Sequence, residues 1–206
     1  MRAPAKLFLA SSNPGKLAEF RALAQTAALS SRVELEPIPG FDSLPSFEEN
    51  AATFAENALG KALRYSQLTE GFVFADDSGL VVPALGGAPG VHSARYAGPN
   101  ATSAERISKL IGKLQGKTGS QRAAYFVCII ALAKQGHAIA IVTDRVEGEI
   151  LSSPRGSGGF GYDPVFYCPP LKKTFAELSP HEKNQHSHRG KAFRKLLAAL
   201  DVSQVQ

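Results

Sequence analysis

The sequence predicts an α/β protein with a mixed β-sheet, and three observations support this fold class. Strand-like and helix-like segments alternate along the first half of the chain. Two long β-like runs, at 122–133 and 138–146, then follow one another across a short polar turn, which is typical of an antiparallel hairpin. The 206 residues, 44% of them hydrophobic and 20% charged, suffice to bury a large core. We therefore expect a single domain over residues 1–206.

Each element follows from a local pattern. Short apolar runs predict strands, apolar residues at helical spacing predict helices, and stretches rich in Gly, Pro and Ser separate them. Residues 102–105 resemble a capping box, which marks the start of a helix. The other predicted elements are a strand at 6–10, a helix at 17–29, a strand at 33–36, a helix at 49–65, a strand from 71 ending at Asp76, a strand at 80–82, the two hairpin strands with an extension at 147–151, and a last helix from 183 or 187 to 200.

The composition argues against several classes of protein. No apolar run approaches the roughly 18 residues that a membrane helix needs, and the N-terminus has no signal-peptide pattern. Cys128 and Cys168 are too few for a disulfide framework or a zinc site. A net charge of +5 favours anionic partners but does not distinguish nucleotides from nucleic acids. We expect a cytoplasmic protein without membrane contact.

The most informative motif lies at 74–80, where a strand is predicted to end in Asp76 and Asp77, followed by a Ser-Gly turn. Ligands bind at the carboxyl ends of strands in α/β proteins, so both carboxylates are predicted to line a crevice. Adjacent carboxylates repel, and a hard divalent cation such as Mg²⁺ or Mn²⁺ would offset that repulsion. The alternative is an acidic turn exposed to water.

Two further segments carry candidate ligands. Residues 11–16 connect the first strand to the first helix, and they either bind a phosphate through backbone N–H groups and Lys16 or simply cap the helix. Glu49 and Glu56 are two helical turns apart. One of them would join Asp77 at a cation, unless both lie on a solvated helix face.

A glycine-rich stretch at 156–161 matches the dinucleotide-binding pattern Gly-x-Gly-x-x-Gly but lacks the strand before it and the helix after it. We interpret it as a flexible loop that presents Phe160, Tyr162 and Asp163 to a base, unless Phe160 packs into the core. Residues 182–189 place many donors at the start of the last helix, where they suit phosphate or carbonyl oxygens, although a generic basic helix is the alternative. Its two histidines at i and i+2 are not expected to share a metal ion, because such positions point to different faces.

Seven short segments carry a common signal, at 12–16, 53–58 with 61–62, 76–80, 86–90 with 93–96, 158–164, 176–178, and 182–183 with 187–189. Together they resemble the inosine/xanthosine triphosphate pyrophosphatase family, also called non-canonical purine NTP pyrophosphatases. They occur in the family's order over nearly the whole chain. The resemblance implies an elongated α/β fold with a mixed β-sheet flanked by helices, two lobes with an active-site cleft between them, and a homodimer. It also implies Mg²⁺-dependent hydrolysis of ITP, dITP and XTP to the monophosphate and pyrophosphate, which cleanses the nucleotide pool.

The resemblance also assigns roles to individual residues. Asp77 takes the catalytic position and, together with Glu49, the metal position. Glu48 and Glu56 stay alternatives for the second ligand, because the Glu-Asn-Ala motif occurs twice. The implied substrate contacts are Ser11, Ser12, Asn13, Pro14, Gly15, Lys16, Lys61, Ser78, Phe160, Gly161, Tyr162, Asp163, Lys183, His188 and Arg189.

For the chemistry, we expect Mg²⁺ held by Glu49 and Asp77 to bridge the phosphates and to activate a water for attack at the α-phosphorus. Lys16 and Lys61 would neutralise the leaving pyrophosphate. A carboxylate that binds a metal is a weak base, so a second metal or Asp76 is expected to share that role.

Donors near the start of the last helix, His188 and Arg189 among them, are expected to favour a 6-keto purine over the 6-amino group of ATP. The competing interpretations are a pyrophosphatase for other modified nucleotides, a nucleotide-binding protein without catalysis, and a nucleic-acid-binding module. The last is disfavoured because basic and aromatic residues are not interleaved along one surface.

Overall fold

A computed structural model describes residues 5–25 and 33–203. The sheet within these ranges combines parallel and antiparallel pairs, so the predicted mixed α/β class is confirmed. The strands and α-helices are β1 (Ala5–Leu9), α1 (Pro14–Ala24), β2 (Val33–Pro37), α2 (Phe54–Ser66), β3 (Phe72–Val81), α3 (Ser103–Lys113), β4 (Ala123–Lys134), β5 (His137–Ile150), β6 (Phe166–Cys168), β7 (Lys173–Thr174), α4 (Pro180–His186) and α5 (His188–Ser203).

The sheet has the strand order β2-β1-β3-β4-β5-β6-β7. β1 is parallel to both β2 and β3, whereas β6 is antiparallel to both β5 and β7. A two-residue turn joins β4 to β5, and its residues Gln135 and Gly136 have φ angles of 50° and 80°. Positive φ at both turn positions matches the twist of a tight hairpin, so the predicted hairpin is confirmed.

The chain divides into two compact units. The first unit comprises Met1–Asp77, Cys128–Asp144 and Arg189–Gln206, and the second comprises Ser78–Val127 and Arg145–His188. Strands β3, β4 and β5 each contribute residues to both units. The predicted cleft between two lobes stays a prediction.

In the first unit, side chains alternate between the two faces of β1 and β3. Leu7, Leu9 and Phe74 pack with side chains from α1 and α5. Val73 and Ala75 lie on the opposite face and pack with side chains from α2. This alternation decides which helix each residue of β3 can reach.

The second unit has its own core, built from α3, β4, β6 and the loops around them. Phe126, Phe166 and Phe175 lie at its centre, and the first two have ring centroids 4.6 Å apart. Leu80 of β3 also belongs to this core and is fully buried.

The prediction that a strand ends at Asp76 is wrong. β3 continues to Val81, so Ser78 and Gly79 are extended residues and not a turn. The strand continues because its apolar pattern resumes at Leu80, which is buried in the second core. The separately predicted strand at 80–82 is therefore largely the end of β3.

The helix predicted from residue 49 begins only at Phe54. Thr53 caps it: the Thr53 Oγ1 accepts the N–H of Glu56 at 3.2 Å, and the Glu56 carboxylate accepts the N–H of Thr53 at 3.1 Å. Glu49 therefore lies on the preceding loop. Glu49 and Glu56 are therefore not two turns apart on one helix, as the predicted helix at 49–65 would have placed them.

Other boundaries differ less. The helix predicted at 17–29 begins at Pro14, and its predicted end at 26–29 lies outside the described residues. The predicted start at 102–105 is confirmed by a capping box that Thr102 and Glu105 form. The predicted last helix is divided at Ser187 into α4 and α5.

Candidate functional site

Asp76 and Asp77 are adjacent in β3 and are 0% and 5% exposed. Because side chains alternate along a strand, Asp76 lies on the face covered by α1 and α5, and Asp77 lies on the face covered by α2. The contacts agree, since Lys16 of α1 pairs with Asp76 and Asn57 of α2 bonds Asp77. The two carboxylates therefore differ in these contacts, and they do not lie at a strand end as predicted, because β3 continues to Val81. That they line a crevice stays a prediction.

Asp76 is surrounded by cations from the protein itself. Its Oδ2 lies 3.0 Å from Lys16 Nζ and 3.8 Å from Arg189 Nε, and its backbone carbonyl accepts from Lys61 Nζ at 3.0 Å. Burial alone would raise the pKa of Asp76, but Lys16, Arg189 and Lys61 together hold it at about 2. With so low a pKa, Asp76 is a poor proton acceptor, so the expectation that it shares the base role is not supported.

The low pKa of Asp76 predicts an acid-dependent loss of stability. An unfolded aspartate titrates near 3.8, so between about pH 4 and pH 2 the unfolded chain binds a proton that the folded chain does not. As the pH falls through this window, the free energy of unfolding should decrease by about 2 kcal/mol more in the wild type than in Asp76→Asn. Urea titrations in EDTA at several pH values would measure both slopes. Parallel slopes would contradict the prediction.

The segment at 11–16 does cap α1. The Asn13 Oδ1 accepts the N–H of Lys16 at 3.1 Å, and the Ser11 Oγ accepts the N–H of Asn13 at 3.2 Å. Capping leaves room for phosphate binding, because a helix start offers four N–H groups and Asn13 accepts from one. Of the other predicted contacts here, Ser12 and Pro14 are exposed and Gly15 is half-buried.

Arg189 is only 3% exposed and forms an ion pair with Glu19 of α1. Its guanidinium carbon lies 5.8 Å from the centroid of the Phe20 ring. Burial lowers the pKa of Arg189, but the negative charges of Glu19 and Asp76 raise it by more, so the net shift of the pKa is upward. Arg189 was predicted as a substrate contact, and the structure gives it in addition a role in joining α1, β3 and α5.

Glu49 pairs with Lys61 of α2, and the same lysine bonds the backbone of β3. Among the three carboxylates that the sequence left open, Glu49 fits a metal site best. Glu56 is used in capping, with an oxygen 2.8 Å from the Thr53 Oγ1. Glu48 is exposed and accepts from Asn50 Nδ2 at 2.9 Å.

Asp77 accepts a hydrogen bond from Asn57 Nδ2 at 2.9 Å. Burial raises the pKa of Asp77 to about 6; the charge of Lys16 lowers it and that of Glu49 raises it. Glu49 and Asp77 are thus close enough for their charges to repel. A divalent cation bound by both would remove this repulsion, so the oxygen donors fit Mg²⁺.

Within residues 5–25 and 33–203, no three or more His, Cys, Asp or Glu side chains are grouped so as to hold a metal ion. Mg²⁺ usually binds one or two carboxylates and completes its coordination with water and substrate phosphates, so a pair of carboxylates is consistent with its coordination preference. His186 is exposed and His188 is buried, so the two side chains have different surroundings.

In the second unit, Lys183 of α4 and Asp163 form an ion pair whose members are 5% and 3% exposed. The Asp163 Oδ2 also accepts the N–H of Phe160 at 2.7 Å, and Lys183 Nζ lies 4.9 Å from the centroid of the Phe160 ring. The cation over the ring and the carboxylate at its N–H hold Phe160 in place. Gly161 follows with a φ of +64°. Predicted substrate contacts therefore form one cluster here.

The glycines of the stretch at 156–161 permit close packing. A Cβ at Gly156 would lie 2.6 Å from the carbonyl oxygen of Ala176. A Cβ at Gly159, where φ is +70°, would lie 2.1 Å from the Asp163 Oδ2. Only glycine fits at such distances. Close packing explains why glycines occupy positions 156 and 159. A flexible loop, as predicted from the many glycines in this stretch, is not needed to explain them.

The remaining predicted contacts differ in their surroundings. His188 is 3% exposed, and its ring stacks on Phe126 with centroids 4.7 Å apart. Tyr162 is equally buried and donates its hydroxyl to the Ser93 carbonyl at 2.9 Å; burial raises its pKa. Ser78 is half-buried in β3. His188 and Tyr162 thus also contribute to the packing of the second core.

Two residues of the first unit were missed as individuals. Asn57 lay inside a segment used only for the resemblance, and Glu19 lay on a predicted helix with no motif around it. A carboxylate three residues after Lys16 was the one available signal for Glu19, because it would lie one helical turn further along α1. No local pattern indicates that Asn57 reaches Asp77 of β3.

No helix in the described part of the chain is long and apolar enough to cross a membrane. The model of the Ham1 family matches residues 7–199. A protein of Gloeobacter violaceus named dITP/XTP pyrophosphatase is 51% identical over 192 residues, which cover 93% of this chain and 92% of that protein. One of Geobacillus kaustophilus with the same name is 49% identical, with coverage of 93% and 92%.

Solved structures give the same result. The structure of a HAM1 protein from Coxiella burnetii has a TM-score of 0.83 and 44% sequence identity, covering 96% of this chain and 98% of that one. A structure named nucleoside-triphosphatase / dITP/XTP pyrophosphatase from Mycobacterium abscessus has a TM-score of 0.71 and 39% identity, with coverage of 95% and 99%. With the family match spanning nearly all described residues, this chain belongs to the Ham1 family.

Proposed function

We propose that this protein is a nucleoside triphosphate pyrophosphatase that hydrolyses dITP, ITP and XTP to the monophosphate and pyrophosphate, removing non-canonical purines from the nucleotide pool. The names of its relatives support this activity. The observation that carries it is a cluster of charged side chains in the first unit, formed by Lys16, Lys61, Glu49 and Asp77. Lys61 pairs with Glu49 and also bonds the backbone carbonyl next to Asp77. Opposite charges at such short range suit a polyphosphate together with its metal ion.

The phosphates would be bound chiefly by Lys16, by Lys61 and by N–H groups at the start of α1. Burial lowers the pKa of Lys16, but Asp76 raises it and the net shift is upward, so the ammonium group stays charged at neutral pH. Its contact with Asp76 at 3.0 Å fixes the direction of a long, flexible side chain before substrate arrives. Such preorganisation reduces the entropy lost on binding.

Glu49 and Asp77 would hold Mg²⁺, which when bound neutralises phosphate charge and makes a coordinated water more acidic. In the metal-free protein Asp77, with a pKa of about 6, is far better suited than Asp76 to accept a proton near neutral pH. Asn57 holds one oxygen of the Asp77 carboxylate, which orients the group. The resemblance to the family supports Mg²⁺ over other hard cations.

The base contacts stay predictions. Phe160, Lys183 and His188 are the candidates, and Phe160 offers an aromatic face whose backbone is held by Asp163. Aromatic rings stack on purines without choosing among them, so the choice of a 6-keto purine would rest on hydrogen-bond donors. The same resemblance supports a cytoplasmic homodimer.

Pyrophosphate release from a panel of dITP, ITP, XTP, GTP and ATP, with Mg²⁺ and with EDTA, tests the proposal. We expect kcat/KM for the first three to exceed that for ATP by about 100-fold or more, because a donor-lined site leaves a buried donor unpaired against an amino group. EDTA should abolish turnover. Near-equal values across the panel, or release of phosphate in place of pyrophosphate, would rule out the proposal. A preference for a modified pyrimidine would identify the alternative class of pyrophosphatase.

A further inference from the structure

Asn57 makes two hydrogen bonds in different directions. Its Nδ2 donates to the Asp77 Oδ2 at 2.9 Å, and its Oδ1 accepts the N–H of Ala51 at 3.0 Å. The side chain is 1% exposed. Ala51 lies two residues after Glu49, so one buried amide links the Asp77 carboxylate to the backbone of the segment that carries Glu49.

The chemistry of the two partners fixes how this amide is turned. A backbone N–H can only donate and an ionised carboxylate can only accept, so the oxygen must face Ala51 and the nitrogen must face Asp77. An aspartate at 57 would lose the donor, and an apolar residue would lose both bonds. Asn57 therefore fixes one oxygen of Asp77 relative to the segment that carries Glu49.

The Glu49 loop (residues 44–53) is held along the same helix at other points. Tyr65 donates its hydroxyl to the Pro45 carbonyl at 3.0 Å. Phe47 packs where Gly60 leaves space, since a Cβ at Gly60 would lie 2.8 Å from the Phe47 Cζ. These contacts hold the loop to α2. Among the contacts described, Asn57 is the member of α2 that bonds both the loop and Asp77.

We propose that Asn57 is a positioning residue for the divalent cation, which sets the separation and orientation of Glu49 and Asp77 before the ion binds. This inference rests on the proposed function, because it presumes that these two carboxylates ligate the ion. Residues that orient metal ligands through hydrogen bonds change metal affinity by about 10–100-fold when they are replaced. Asn57 acts through Asp77 and the Glu49 loop without touching the ion or the substrate.

The test is the affinity of the nucleotide-free protein for Mn²⁺, measured by isothermal titration calorimetry and by the electron paramagnetic resonance signal of free Mn²⁺. Asn57→Ala should weaken binding by about tenfold or more. Asn50→Ala is the matched control, since it removes an amide of the same loop that donates to Glu48, and its Mn²⁺ affinity should equal that of the wild type. In activity assays, Asn57→Ala should raise the Mg²⁺ concentration for half-maximal rate while much of kcat returns at saturating Mg²⁺.

Gly60→Ala supplies a second variant in case Asn57→Ala folds poorly. It displaces Phe47 and hence the Glu49 loop but leaves Asp77 and its donor in place, so it too should weaken Mn²⁺ binding. If the wild type binds Mn²⁺ and Asn57→Ala binds it equally well, the positioning role is overturned while the proposed function stands. If the wild type binds no Mn²⁺, the Glu49–Asp77 site fails, and the nucleotide panel decides separately whether the enzymatic proposal survives. A lowered melting temperature with unchanged Mn²⁺ affinity would mean a structural role only.

Discussion

Replacing Asp77 by Asn should lower kcat by about 100-fold or more and, at the same time, stabilise the metal-free protein. The substitution removes the carboxylate that is proposed to hold the cation and to accept a proton. Burial raises the pKa of Asp77 to about 6. At neutral pH the ionised carboxylate is therefore less stable in the folded protein than in the unfolded chain, which lowers the free energy of unfolding. Removing that charge should add about 2 kcal/mol to the free energy of unfolding in EDTA.

Steady-state kinetics at saturating Mg²⁺ and urea denaturation in EDTA would measure the two effects of Asp77→Asn. Glu48→Gln is the matched control, because it removes an exposed carboxylate next to Glu49 that bonds Asn50. It should keep kcat within about twofold. A fall of less than tenfold in kcat for Asp77→Asn, or an equal fall for Glu48→Gln, would show that the catalytic carboxylate has been misassigned.

Asp76→Ala is expected to lower the free energy of unfolding by about 3–5 kcal/mol. It leaves the buried Lys16 ammonium without its carboxylate and takes one of the two described anionic partners from Arg189. Removing one member of a buried ion pair leaves an uncompensated charge, which is far worse than never having had the pair. Urea denaturation at neutral pH would measure the loss.

Asp144→Ala provides the comparison for Asp76→Ala. Asp144 pairs with Lys195 at 2.9 Å, but that lysine side chain is 56% exposed. Exposed pairs contribute at most about 1 kcal/mol, since water screens the charges. Similar losses for the two variants would mean that Asp76 is no more important than an ordinary surface aspartate.

Much of the fold follows from local patterns. Alternating segments predicted the first strands and helices, and the β4–β5 hairpin and the Thr102 cap were predicted close to their observed bounds. The errors occurred where tertiary structure overrides local signals. Two aspartates and a Ser-Gly pair indicate a turn, yet β3 continues through them to Leu80, which is buried in the second core, and Lys16 and Arg189 neutralise Asp76 inside the fold. No local pattern shows that these two cations reach Asp76, since both are remote in sequence.

The sequence also identified part of the candidate site and missed other parts of it. The pairing of Glu49 with Lys61 and the burial of Asp77 concern residues that the sequence had singled out. The capping role of Glu56 was missed although Thr53 and Glu56 have the spacing of a capping box. Asn57 was missed for a different reason, because its importance depends on β3 passing beside α2.

The path of the chain through its two compact units restricts how such a protein can be divided. The backbone passes from one unit to the other at 77–78, 127–128, 144–145 and 188–189, and three of these passages lie inside strands. No single cut in the gene would thus give two fragments that each encode one unit. Exchange of one unit for another domain by recombination would require cuts inside strands β3, β4 and β5. We therefore expect the two units to have been inherited together.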